Sequence, residues 1–140
     1  MVYVILILMW LPLFGSHSCC ILGDSIAVGA HSVNKQCSAV AKVGISARTF
    51  NKKYLKDIPP SDTYIISLGS NDSKNLKRDL NNLRKSLKPG SEVVWIVPHI
   101  NGKIVEEVAV EHSDKKFYFT TGKDGVHPKS YKAFKNITHK

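Results

Sequence analysis

Five short apolar runs, separated by stretches with helical spacing, constrain this chain more than any other feature. "SCCIL" (18–22), "SAVAKV" (38–43), "YIISL" (64–68), "VVWIV" (93–97) and "KFYF" (116–119) read as strands. The central runs are almost continuously apolar, as strands covered on both faces are. Between them, Phe50, Tyr54, Leu55 and Ile58 form one helical stripe, and Leu76, Leu80, Leu83 and Leu87 form a second that stops at Pro89-Gly90. Val105, Val108 and Ala109 make a shorter third, and Tyr131, Phe134 and Ile137 line an expected last helix. These stripes are core-facing and carry no function of their own. Strands and helices alternating over short connections demand right-handed crossovers and a parallel sheet with helices on both faces. In such a sheet, ligands bind beyond the carboxyl ends of the strands.

The residues that follow each run are therefore the ones to inspect. Strand one delivers Gly23, Asp24 and Ser25, strand two Gly44, and strand three Gly69, Ser70, Asn71 and Asp72. Strand four delivers His99 and Asn101, and strand five delivers Asp124 and His127 within "GKDGVHP". A strand followed by Gly-Asp-Ser is, taken alone, most often a turn and a helix cap, because Asp and Ser oxygens satisfy the free N–H groups of a first turn. The other strand ends sharpen that reading. Together they offer a serine at a helix start, a histidine base, and an acid three residues before it, which are the parts of an acyl-transfer site.

"GDS" at 23–25, Gly44, "GSND" at 69–72 and "DGVH" at 124–127 stand in the order and spacing of the four blocks of the SGNH (GDSL-type) hydrolases, and residues 19 to about 137 resemble that family. The resemblance implies a three-layer flavodoxin-like domain with a five-stranded parallel sheet in the order 2-1-3-4-5. It implies that Ser25 attacks an ester carbonyl, His127 takes its proton and Asp124 orients the imidazole. The Ser25 and Gly44 backbone N–H groups and the Asn71 amide would hold the oxyanion. No metal or cofactor is called for. Residue 27 is Ala, so this is not the G-x-S-x-G elbow of the α/β-hydrolases. Asp24 is expected to cap the helix that starts at Ser25, and Asp72 the helix over Leu76–Leu87. Pro128 is expected to open the last helix. His99 and Asn101, on the same rim, are candidates for substrate contact. His31, His112 and His139 read as surface or helix-end residues.

Composition bounds the rest. The formal net charge is +9, supplied mainly by 17 lysines against three arginines. Charge of that kind is most often a solvated surface, yet it favours anionic surfaces as partners. Arginine is scarce and neither an aromatic-plus-basic sheet signature nor zinc spacing appears, which excludes the familiar nucleic-acid modules. The first 23 residues contain no Asp, Glu, Lys or Arg. "VYVILILMWLPLF" falls short of the ~20 residues of a spanning helix and suits the apolar region of a signal peptide. Residues 1–17 are thus read as a signal peptide or apolar anchor of an exported protein, and residues 18–140 as the hydrolase domain. Three cysteines cannot all pair within one chain, and their spacing makes no metal site. Strands one and two are neighbours in a 2-1-3-4-5 sheet, so Cys37 is placed to bridge either Cys19 or Cys20. "NDS" (71–73) and "NIT" (136–138) match glycosylation sequons, the first inside the expected site.

The expected activity is that of a serine esterase removing a small acyl group, such as acetyl, from a carbohydrate. A lysophospholipase or thioesterase of the same family is one alternative. A non-catalytic module that binds glycans or surfaces on the same fold is another.

Overall fold

A computed structural model describes residues 18–72 and 74–140 of the chain. The expected leader at 1–17 and Ser73 of the first sequon lie outside the described residues. The five expected strands form one parallel sheet in the order β2-β1-β3-β4-β5. They are β1 (Cys19–Gly23), β2 (Ser38–Ala41), β3 (Thr63–Ser67), β4 (Glu92–Ile96) and β5 (Lys115–Phe117). Four helices connect and cover them: α1 (Ser25–Ser32), α2 (Ala47–Tyr54), α3 (Leu76–Ser86) and α4 (Gly102–Glu111). This is a flavodoxin-like α/β fold in a single small domain.

Alternation along the central strands sorts side chains into two cores. Leu22, Ile66 and Trp95 pack with Phe50, Leu80 and Val105 beneath α2, α3 and α4. Ile21, Ile65, Val94 and Ile96 pack on the other face with Ile26 and Ala30 of α1 and with Phe134 and Ile137. Cys19 and Cys37 are joined by a disulfide, which selects between the two expected partners, and Cys20 is free and buried.

The register aligns the strand ends. Gly23 pairs with Ala41 on one side and Ser67 on the other. Only glycine fits there: its φ is +139°, and a Cβ would stand 1.9 Å from the Ser67 carbonyl oxygen. The turn that follows can then bring Asp24 and Ser25 directly onto the rim.

The structure departs from expectation after β5. No α-helix follows residue 129; two 3₁₀ turns, Lys132–Phe134 and Ile137–His139, take its place. Spacing of three residues between Tyr131, Phe134 and Ile137 serves successive 3₁₀ turns as well as an α-helix. Asn136, at φ +57°, interrupts any continuous helix between the two turns. Pro128 does not start a helix either. It bridges to Thr121 in an antiparallel pair that closes the loop between them.

Candidate active site

Asp24 caps α1 as expected, accepting from the Ile26 N–H at 3.0 Å, while its own N–H donates to the Ser67 carbonyl. The same carboxylate oxygen accepts from the Ser67 hydroxyl at 3.0 Å, and its second oxygen is buried with no partner. Burial therefore pushes the Asp24 carboxyl up to about 6, with the Ser67 hydroxyl and the Ile26 N–H working against it. Ser25, the first residue of α1, is thus fixed by a strand behind it and a capped helix ahead.

Across the rim, the Ser25 hydroxyl donates to His127 Nε2 at 2.8 Å, and His127 Nδ1 donates to Asp124 Oδ2 at 2.7 Å. Asp124 Oδ1 accepts from the Val126 and His127 N–H groups, both at 2.9 Å. These amide bonds and the imidazole hold the Asp124 carboxyl down at about 2, so it is ionised across the working pH range. The loop braces itself further. Gly122 N–H donates to the His127 carbonyl, and Lys129 N–H to the Thr120 carbonyl.

The remaining expected residues lie on the same rim. Gly44 has φ +78°, and a Cβ there would meet nothing within 4 Å, so its backbone conformation, more than its close approach, asks for glycine. Among the described residues, the Ser25 and Gly44 N–H groups have no acceptor. Asn71 Nδ2 donates one of its two hydrogens to the Ile45 carbonyl at 3.2 Å. That bond fixes the amide and leaves its second hydrogen to donate elsewhere. A cavity of about 390 Å³ has Gly44, Ser46 and Asn71 in its wall.

Asp72 serves a different helix from the one expected. Both its oxygens accept from the Ala47 N–H, at 2.9 and 3.0 Å, so it ties the loop after β3 to the start of α2. The residue before α3 is Asn75, in the left-handed conformation and without a side-chain cap. His99 Nε2 donates to the Phe119 carbonyl at 3.0 Å, and its ring packs on Phe119. Asn101 donates to the Gly69 and Asp72 carbonyls at 2.8 and 3.0 Å. Both candidates for substrate contact therefore brace neighbouring loops. Among the described residues, no group of three or more His, Cys, Asp or Glu could hold a metal ion, and no helix is long and apolar enough to cross a membrane.

One fastener carries no sequence signal. Asn34, wholly buried after α1, donates to the Ala30 and Phe134 carbonyls and accepts from the Asn136 N–H. It ties the end of the nucleophile helix to the segment that follows the base.

No family model and no curated protein matches the sequence. By structure, the chain is similar to the C-terminal catalytic domain of peptidoglycan O-acetyltransferase A from Streptococcus pneumoniae, solved with a methylsulfonyl adduct. The TM-score is 0.58 at 20% identity, over 87% of this chain and 88% of that one. At that identity the likeness is one of fold.

Proposed function

We propose that this protein is a serine-dependent enzyme acting on small acyl esters, in the first instance acetyl groups on a carbohydrate, through an acyl-enzyme. The observation that carries the reading is the continuous chain from Ser25 through His127 to Asp124, at 2.8 and 2.7 Å. Such a chain makes a hydroxyl nucleophilic at neutral pH, because a base stands ready to take its proton. His127 accepts the Ser25 proton as the hydroxyl attacks, and ionised Asp124 stabilises the imidazolium that results. The Ser25 and Gly44 N–H groups and the second Asn71 hydrogen hold the oxyanion. His127 then gives its proton to the departing alcohol, and water cleaves the acyl-enzyme by the reverse sequence.

The openness of the site favours a short acyl group on a bulky carrier. The His127 and Asp124 side chains are 47% and 54% exposed, so no deep acyl tunnel surrounds them. A second reading, transfer of the acyl group to a sugar hydroxyl, is favoured by the fold neighbour, which is an acetyltransferase domain. Both reactions share the acyl-enzyme and differ only in the acceptor. Work outside the cytoplasm is part of the proposal, supported by the Cys19–Cys37 disulfide.

Hydrolysis of p-nitrophenyl esters of increasing chain length tests the reading, together with fluorophosphonate labelling followed by intact mass. The expected result is highest kcat/KM on acetate and a single adduct on Ser25, lost in Ser25→Ala. Adding a glycan acceptor separates the two reactions: transfer releases less free acid than nitrophenol, hydrolysis equal amounts. An unlabelled serine and no turnover on any ester would leave the binding-module alternative.

A further inference from the structure

Two lysines near the amino ends of the strands are paired: Lys88 with Asp62 at 3.4 Å, and Lys115 with Glu92 at 3.1 Å. At the carboxyl ends, the carboxylates are already engaged. Asp24 is held by Ile26 and Ser67, Asp72 by Ala47, and Asp124 by its own loop and His127. Lys42, just after β2, and Lys53, in the last turn of α2, form no ion pair among the described residues. Both line the cavity of about 390 Å³ that also takes in Gly44 and Asn71. Ser46 and Thr49 supply further polar wall, and no lining residue is acidic.

Two uncompensated ammonium groups on one concave surface, in a chain of net charge +9, raise the local positive potential. A lysine ammonium is a compact point charge, and it serves a carboxylate or a phosphate alike. We propose that this cavity holds an anionic group, carboxylate or phosphate, on the carbohydrate that carries the ester, with Lys42 and Lys53 as its counter-ions. The proposal rests on the ester-acting reading of Ser25 and narrows its substrate class to acyl esters of acidic glycans. The cavity wall includes two of the three groups assigned to the oxyanion. An anionic group held there shares its wall with Gly44 and Asn71, and its charge selects the substrate.

The test is direct binding of three oligosaccharides to the whole domain: an oligogalacturonate, a phosphorylated maltooligosaccharide and the neutral maltooligosaccharide. The carboxylate and phosphate arms identify the source of the charge. At low salt, the better anionic ligand should bind about tenfold or more tightly than the neutral one, and the preference should shrink as salt screens exposed charges. K42Q/K53Q should abolish the preference. K88Q, which removes a like charge at the far edge, should keep it. Equal affinity for all three, or a preference that survives in K42Q/K53Q, overturns the proposal. Ester hydrolysis intact alongside that result leaves the esterase reading standing. Charge-dependent binding without turnover or Ser25 labelling removes the esterase reading and the substrate class with it, leaving a glycan-binding cavity.

Discussion

Ser25 begins a helix at the end of a central strand, and its neighbour Asp24 is wholly buried beneath it. His127 lies in a loop with no helix or strand around it, and its partner Asp124 has a side chain 54% exposed. The two halves of one reacting pair are therefore held by different means. The nucleophile inherits its position from the sheet, through the Gly23–Ser67 pairing and the Asp24 cap. The base depends on a few side-chain and backbone hydrogen bonds within residues 120–129 and on the anchoring of the segment that follows. Regular structure sets position through many weak contacts at once, whereas a loop concentrates it in a few bonds. Substitutions on the two sides should therefore fail differently: activity and stability together at the nucleophile, activity alone at the base.

Asp124→Asn is the widest separation of the two properties. Asparagine keeps an oxygen for the Val126 and His127 N–H groups, so the loop should persist. Its amide would face His127 Nδ1 with a donor, which favours the wrong tautomer for accepting the Ser25 proton. Kinetics should show a fall in kcat on the order of 10⁴, with Tm within a degree or two of the wild type. A loss smaller than tenfold would mean that Asp124 does not orient the base.

Asn71 stands between the two regions, on the loop after β3. If its second hydrogen meets the oxyanion, the contact strengthens only as the carbonyl becomes tetrahedral. Asn71→Ala should then lower kcat by roughly 10²–10³, with KM moving a few-fold and Tm little changed. If the Ile45 bond is its main work, Tm falls and every kinetic parameter suffers together. Unchanged kcat would remove Asn71 from the oxyanion hole.

The same contrast explains what could be read from the sequence. The strands were legible as apolar runs, nearly continuous in the central ones because these are covered on both faces, and their order followed from the family resemblance of the four motif blocks. Asp24 was legible as a cap because the capping bond is local. Asp72 was misassigned to α3 because its partner, Ala47, lies 25 residues earlier, and nothing local marks that pairing. The last helix was misread because a three-residue aromatic spacing does not separate α from 3₁₀. His99 and Asn101 stand at a strand end as a substrate contact would, and their bonds to Phe119, Gly69 and Asp72 reach loops that nothing local in the sequence places beside them. Asn34 gave no signal at all, since two of its three bonds reach Phe134 and Asn136, about 100 residues away. Lys42 and Lys53 read as ordinary solvated charge until the fold set them around one cavity.

Asn34→Ala tests whether the base side is braced from outside its loop. Losing three bonds while leaving the Phe134 carbonyl and Asn136 N–H unsatisfied should cost about 2–4 kcal/mol, a fall of roughly 10 °C in Tm. If the anchoring also aims the base, kcat measured well below Tm falls about tenfold while labelling of Ser25 still goes to completion. A large fall in Tm with kcat intact would show that residues 120–129 hold His127 by themselves, and the comparison sharpens to a single loop.

The smallest expected effect sets the two aspartates against each other by pH. The folded-state pKa of Asp24 is raised to about 6 from 3.8, so the folded state holds its proton more tightly than the unfolded chain does. Its contribution to stability is fully present below about pH 3.8 and is lost as pH rises through about 6. Asp124 has the opposite sign: lowered to about 2, it contributes above about pH 3.8 and loses that contribution as pH falls toward 2, and solvent screening at its exposed carboxylate keeps the contribution small. Asp24→Asn removes the first titration and keeps an oxygen for the Ile26 N–H. Whatever its offset at low pH, the Tm of Asp24→Asn relative to wild type should rise by a few degrees between pH 4 and pH 7. For Asp124→Asn, the difference should stay flat over that range, because its titration lies below it. Parallel Tm–pH curves for Asp24→Asn and wild type would mean that Asp24 is solvated enough to ionise freely. The nucleophile would then be no more buried in its support than the base, and the contrast between the two regions would fail.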